Sequence, residues 1–151
     1  MTSILIPSRF EELNQKFNKI CYINEENSLV NINIIGANFY PSKLKETIGE
    51  FLEFVIYISL RALEKSKKYN SKQYDIHLHL ENCSPKNLNV RMVKYIYTEV
   101  CKIFEDTTHK IYIYSNTNFC MIAFKLIKGF LEKETIKKLE FINSKKSSRF
   151  Y

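Results

Sequence analysis

Hydrophobic residues recur along this chain at two spacings, and the changes from one to the other mark out its elements. Between 9 and 20, Phe10, Leu13, Phe17 and Ile20 share one helical face, and Ser8 with Glu11 has the form of a capping box, so a helix is predicted there. Residues 24–28 are polar and read as a turn. Residues 29–35 follow as a strand carrying Leu29, Val30, Ile32, Ile34 and Ile35. The longest predicted helix, 43–67, opens after Pro41-Ser42. Its apolar face, including Leu44, Phe51, Val55 and Leu63, is wide enough to require contact with several elements. In the strand predicted at 74–81, Ile76, Leu78 and Leu80 point one way and Asp75, His77, His79 and Glu81 the other. After a loop containing Pro85, residues 90–104 are predicted as a helix with Val93, Ile96, Tyr97 and Val100 on its apolar face.

The run from 110 to 143 is the most legible part. Ile111, Tyr112, Ile113 and Tyr114 predict a strand, and 115–118 a polar loop. A helix over 119–131 then places Phe119, Ile122, Ala123, Leu126, Ile127, Phe130 and Leu131 in one stripe, which Gly129 interrupts and weakens. A short charged helical turn leads to a last strand holding Leu139, Phe141 and Ile142. The order is helix and strand in four alternations. That argues for an α/β layer structure with a mostly parallel sheet flanked by helices. No repeat or linker divides the 151 residues, so a single domain is expected, with a helix and turn over 1–26 and a basic tail over 144–151.

Composition narrows the classes without choosing one. Lysine and arginine number 23 against 16 acidic residues, a formal charge of +7, which suits an anionic partner such as a membrane surface or nucleic acid and equally suits plain solubility. The four cysteines, Cys21, Cys83, Cys101 and Cys120, form no CxxC pair, and the start MTSILIPSRFEEL lacks the long apolar core of a signal peptide. The expectation is a reducing, cytoplasmic compartment. No apolar run approaches the ~20 residues that span a bilayer.

Candidate chemistry is sparse. There is no glycine-rich phosphate loop, serine elbow or HExxH, and a Cys120 nucleophile with His109 has no support from spacing, so no enzyme and no cofactor are expected. The Asp75, His77, His79, Glu81 face is unusual in a strand that parallel pairing should bury on both sides. His-x-His ligation of zinc with His109 or Cys83, a partly exposed face, and a polar cavity lining are the three readings open to it. Nucleic-acid binding has charge and Tyr112 and Tyr114 in its favour but no RNP-like signature.

The segment Lys128-Gly129-Phe130-Leu131-Glu132-Lys133-Glu134-Thr135-Ile136-Lys137-Lys138-Leu139 resembles the K-P-F-L-(D/E)-x-x-T-x-x-K-(I/L) run of the CRAL-TRIO (Sec14-like) family. The flanking strand, helix and strand follow the same order. The resemblance covers 27–143, and the BCH-type branch, with its Rho-GAP-binding scaffolds, is a comparable match. Gly129 stands where the family has proline, the polar turn 115–118 also lacks its proline, the N-terminal helical lobe is reduced to one short helix, and the chain stops soon after its last strand.

The resemblance implies a Sec14-like pocket between sheet and helices that holds a lipid or other hydrophobic molecule without chemistry. The helix 119–131, with Phe119, Ile122, Ala123, Leu126, Ile127, Phe130 and Leu131, acts as its gate. It further implies headgroup contacts by Lys138 and Asp106 (or Glu105). Lys125 and Lys128 edge the gate stripe and suit peripheral contact with an anionic membrane. The same stripe read from periodicity alone is equally a helix packed on the sheet as core. A second functional reading is a degenerate module with a collapsed pocket, serving a protein partner or a homodimer.

Overall fold

The computed structural model describes residues 2–143. The elements in chain order are helix α1 (Thr2–Phe17), strands β1 (Cys21–Glu26) and β2 (Leu29–Ile35), helices α2 (Pro41–Leu44) and α3 (Ile48–Ser66), β3 (Tyr74–His79), α4 (Val90–Ile103), β4 (Thr108–Ser115), α5 (Asn118–Lys128), the short α6 (Lys133–Ile136) and β5 (Leu139–Asn143). The five strands lie in the order β1-β2-β3-β4-β5. β2 to β5 run parallel, each joined to the next through a helix, and β1 adds an antiparallel edge. This is the expected mostly parallel α/β architecture. The basic tail lies outside the described residues.

Four expectations need correction. Ser8 sits inside α1 rather than at its start, so it does not cap the helix, and α1 ends at Phe17. The segment read as a turn at 24–28 is largely strand. β1 pairs Cys21 with Ile34 through to Glu26 with Leu29, and the turn shrinks to Asn27-Ser28, both with left-handed backbone (φ 53° and 63°), which suits a tight hairpin. The signal was masked because Glu25, an inward position, is charged. Lys68 and Tyr69 of the turn after α3, and Lys65 at its end, bond its carboxylate and hold its pKa down at about 2. The helix 43–67 is two helices, broken at 45–47 where Thr47 leaves helical geometry. The helix 119–131 stops at Lys128. Gly129 caps it in right-handed conformation (φ −60°), and Phe130 and Leu131 lie in the turn beyond.

The sheet has two unlike faces. One carries Val30, Ile32, Ile76, Leu78, Ile111 and Ile113, and against it stand α3, α4 and α5. Register puts Asn31 and Asn33 beside Asp75 and His77, and Tyr112 and Tyr114 beside His77 and His79, on the other. The apolar core itself is in two parts. Phe51, Phe54 and Ile58 of α3 join Leu13 and Phe17 of α1 over β1 to β3, whereas Cys120 and Phe124 of α5 form a separate cluster with Leu80 and Ile113.

Candidate functional site

Between the two core clusters the helices stand off the sheet. α4 is strongly amphipathic, yet none of its residues is buried. Met92, Val93 and Ile96 touch the first cluster, while Tyr97 and Val100 look into open space. That space is a cavity of about 940 Å³, at the upper end of the range for small-molecule sites. Its floor is the apolar sheet face, including Ile34, Ile76, Leu78 and Ile111, and α3 lends Phe51, Val55 and Ile58. The alternation read in β3 thus sends its aliphatic side chains to the cavity and its histidines away from it.

The structure brings most of the expected gate residues to this cavity. Phe119, Ala123 and Ile127 line it from α5, and Phe130 and Leu131 from the turn that follows. Ile122 and Leu126 do not line it. They face outward, 56% and 51% exposed, with Met121. Eleven helical residues cannot point one seven-residue stripe at one target, and the face splits. Cys120, Ala123 and Phe124 are buried, and Ile122, Lys125, Leu126 and Lys128 are exposed. Phe141 of β5 is also exposed, its ring packed edge-on against the buried Phe124 at 4.7 Å between centroids.

At the end of the cavity where β3, β4 and β5 begin, the lining turns polar, with Glu105, Asp106, Thr107, Thr108, Thr135 and Lys138. Lys138 Nζ reaches Asp106 Oδ1 at 3.4 Å. Lys138 is placed by the sheet, since its carbonyl accepts from Ile111 N–H at the start of the β4–β5 ladder. Asp106 is placed by a left-handed turn after α4 (φ 53°) and by Gln73, whose Nε2 donates to its carbonyl at 3.1 Å. These two residues, 32 apart in sequence, therefore meet at the rim.

Hydrogen bonds link most of the polar sheet face, with Asn33 Nδ2 buried and lacking a partner. His77 Nε2–H donates to Asn31 Oδ1 at 2.8 Å, leaving Nδ1 to accept from the Tyr114 hydroxyl at 2.7 Å. His79 Nε2–H donates to Asn33 Oδ1 at 3.1 Å, and its ring stacks on Tyr114 at 4.5 Å. Burial pushes both imidazoles below their usual pKa, and the two histidines oppose each other's charge at His77. Asp75, 3% exposed, accepts from His109 Nδ1–H and the Lys110 amide. Both ring nitrogens of His77 and Nε2 of His79 are spent on amides and a hydroxyl, His79 Nδ1 lies 3.6 Å from the Glu81 carboxylate, and Cys83 lines the cavity on the opposite face. Among the described residues no three histidine, cysteine or acidic side chains are grouped to hold an ion. Of the three readings of this face, the cavity lining is excluded, because none of these side chains reaches the cavity.

What sequence reasoning missed is that all four cysteines border the cavity. Burial pushes Cys21 up to about 12 and Cys83 up to about 11, so they are neutral apolar wall at physiological pH. Cys120 donates to the Leu80 carbonyl and lies past the far end of β4 from His109, so the two form no catalytic pair. No helix among the described residues is long and apolar enough to cross a membrane.

The CRAL/TRIO domain family model matches residues 13–151. Among solved structures, the crystal structure of Sfh5 superposes with a TM-score of 0.64 at 15% sequence identity, over 85% of this chain. The chain spans about half the length of Sfh5, since the match covers 49% of that protein. No curated protein is significantly similar in sequence.

Proposed function

The chain belongs to the CRAL-TRIO family of lipid-binding and lipid-transfer proteins, and from that premise we propose that it holds one lipid or other hydrophobic molecule in the cavity between sheet and helices, without catalysis. The observation that carries this reading is the unfilled apolar space of about 940 Å³ between two core clusters. A cavity that size lined by aliphatic and aromatic side chains forfeits contacts that a ligand's hydrocarbon restores, and ligand burial gains roughly 25 cal/mol per Å² of apolar area. The same space weighs against the second reading, an assembly module with a collapsed pocket.

In this reading α5 is the gate. Its inner face, with Ala123 and Ile127, closes the cavity, and its outer face presents Ile122 and Leu126 along one side and Lys125 and Lys128 along the other. Apolar side chains beside lysines suit the interface of an anionic membrane, where each nearby lysine adds about 1 kcal/mol. Lys138 then meets an anionic headgroup at the rim, with Asp106 holding the ammonium in place until the ligand arrives.

The test is organic extraction of the purified protein followed by mass spectrometry, repeated after incubation with lipid vesicles. A lipid near one per chain is the expected result. Val100→Phe, which takes up cavity space rather than crowding a packed site, should lower occupancy while leaving thermal stability within about 1 kcal/mol. A parent protein that carries no lipid and takes none from vesicles ends this reading.

A further inference from the structure

We propose that Tyr97 is the latch that holds the gate closed, tying α4 to the turn between α5 and β5. Its hydroxyl accepts from the Glu132 backbone N–H at 3.0 Å. The hydroxyl proton is then free for Thr135 Oγ1, at 2.7 Å. The ring packs against Phe130 with centroids 5.9 Å apart. One side chain on α4 thereby grips three positions, 130, 132 and 135, of the segment that anchors the end of α5.

The surroundings give this contact its leverage. α4 and the turn after α5 are walls of the cavity, and α4 contributes no buried residue. The hydrogen bonds within the turn itself are local and do not tie it to the layer. Phe130 N–H bonds the Ile127 carbonyl, Leu131 N–H that of Lys128, and Ile136 N–H that of Glu132. Parting α4 from α5 to admit a ligand breaks both Tyr97 bonds, whereas the first core cluster, built without α5, stays intact. A hydrogen bond of this kind contributes about 1 kcal/mol, so losing two changes an opening equilibrium by about tenfold or more. The latch engages the protein rather than the ligand, so it sets the height of the barrier in both directions and leaves the affinity alone.

The inference rests on the ligand reading of the cavity, and the test separates the two. Tyr97→Phe keeps the ring and removes both hydrogen bonds. With cis-parinaric acid as probe in stopped-flow fluorescence, the association and dissociation rates should both rise about tenfold while Kd stays within about twofold. Thr135→Val, which spares the Glu132 bond, should give about threefold. Amide hydrogen exchange of the empty protein supplies the readout that needs no ligand. In Tyr97→Phe, exchange should accelerate about tenfold across 118–136 and stay unchanged in α3. A general loss of stability would raise both regions together. Unchanged exchange across 118–136 overturns the latch, and so does a weaker Kd with an unchanged association rate, which would make Tyr97 a ligand contact. If the parent protein does not bind the probe, this fatty acid is not a ligand of the cavity, and the exchange result still decides whether Tyr97 holds the gate.

Discussion

Lys138 Nζ and Asp106 Oδ1 lie 3.4 Å apart at the polar rim of an otherwise apolar cavity, the lysine side chain 23% exposed and the aspartate side chain 79%. The pair is asymmetric. The lysine is held by the sheet and half-sunk in the rim, and the aspartate reaches in from solvent. In the proposed function an arriving anion would compete with the carboxylate for the more protected cation.

From that asymmetry, Lys138→Gln should lower affinity for an anionic lipid by about fivefold, the worth of a partly exposed charge-assisted contact. Affinity for a neutral lipid of the same chain length should hold. Asp106→Asn should strengthen anionic binding by removing the competitor. Equal losses for anionic and neutral lipids in Lys138→Gln would show that the lysine serves the fold and not the headgroup.

The outer face of α5 makes a separate prediction. Ile122→Glu combined with Leu126→Glu should cut binding to vesicles rich in anionic phospholipid by about tenfold or more, read by co-sedimentation. Both side chains are more than half exposed, so thermal stability should change little. Retention of full vesicle binding would move the membrane contact elsewhere.

The histidine face predicts how stability responds to acid. His77 and His79 have pKa values pushed below the ordinary ~6.5, by burial foremost and, at His77, by the neighbouring histidine. Asp75 and Glu26 near His77, and Glu81 near His79, pull the other way without reversing the direction. At high pH both histidines are neutral folded or unfolded. As pH falls below about 6.5 the unfolded chain takes up protons first, so the stability these groups contribute above that value is lost through the folded pKa values. Melting temperature should drop by several degrees between pH 7 and 5, and His77→Gln with His79→Gln should flatten that slope. An unaltered slope in the double variant would assign the acid response to other groups.

Gly36, just past β2, predicts a steric limit. A β-carbon there would come within 2.8 Å of Cys83 Sγ and 3.1 Å of the His79 carbonyl oxygen. Gly36→Ala should cost about 1–3 kcal/mol in chemical denaturation. Adding Cys83→Ala should recover part of that, because the backbone oxygen cannot give way as a side chain can. A neutral Gly36→Ala would mean that the β2–β3 end of the cavity is softer than its packing indicates.

The pattern of hydrophobic and polar positions by itself determined the class of fold, the strands β2 to β5, the helices between them and the two-sided character of β3. Each of these depends only on a local period that matches a helix or a strand. The segment 128–139 also carried the family, because its order of residue types is long and specific. The tertiary structure decided what a local period cannot express. β1 appeared only through its pairing with β2, since the inward Glu25 is made tolerable by Lys68 and Tyr69, more than 40 residues away. The stripe on α5 split, because which part of an apolar face is buried depends on how the helix is turned against a particular sheet, and Ile122 and Leu126 fell outside. Lys138 met Asp106, and Tyr97 met Glu132 and Thr135, through register and helix placement that no spacing in the chain encodes. The cavity is the clearest case. The sequence supplied enough apolar surface on α4 to fill a core, and only the packing of α3 and α5 on the sheet left that surface facing open space.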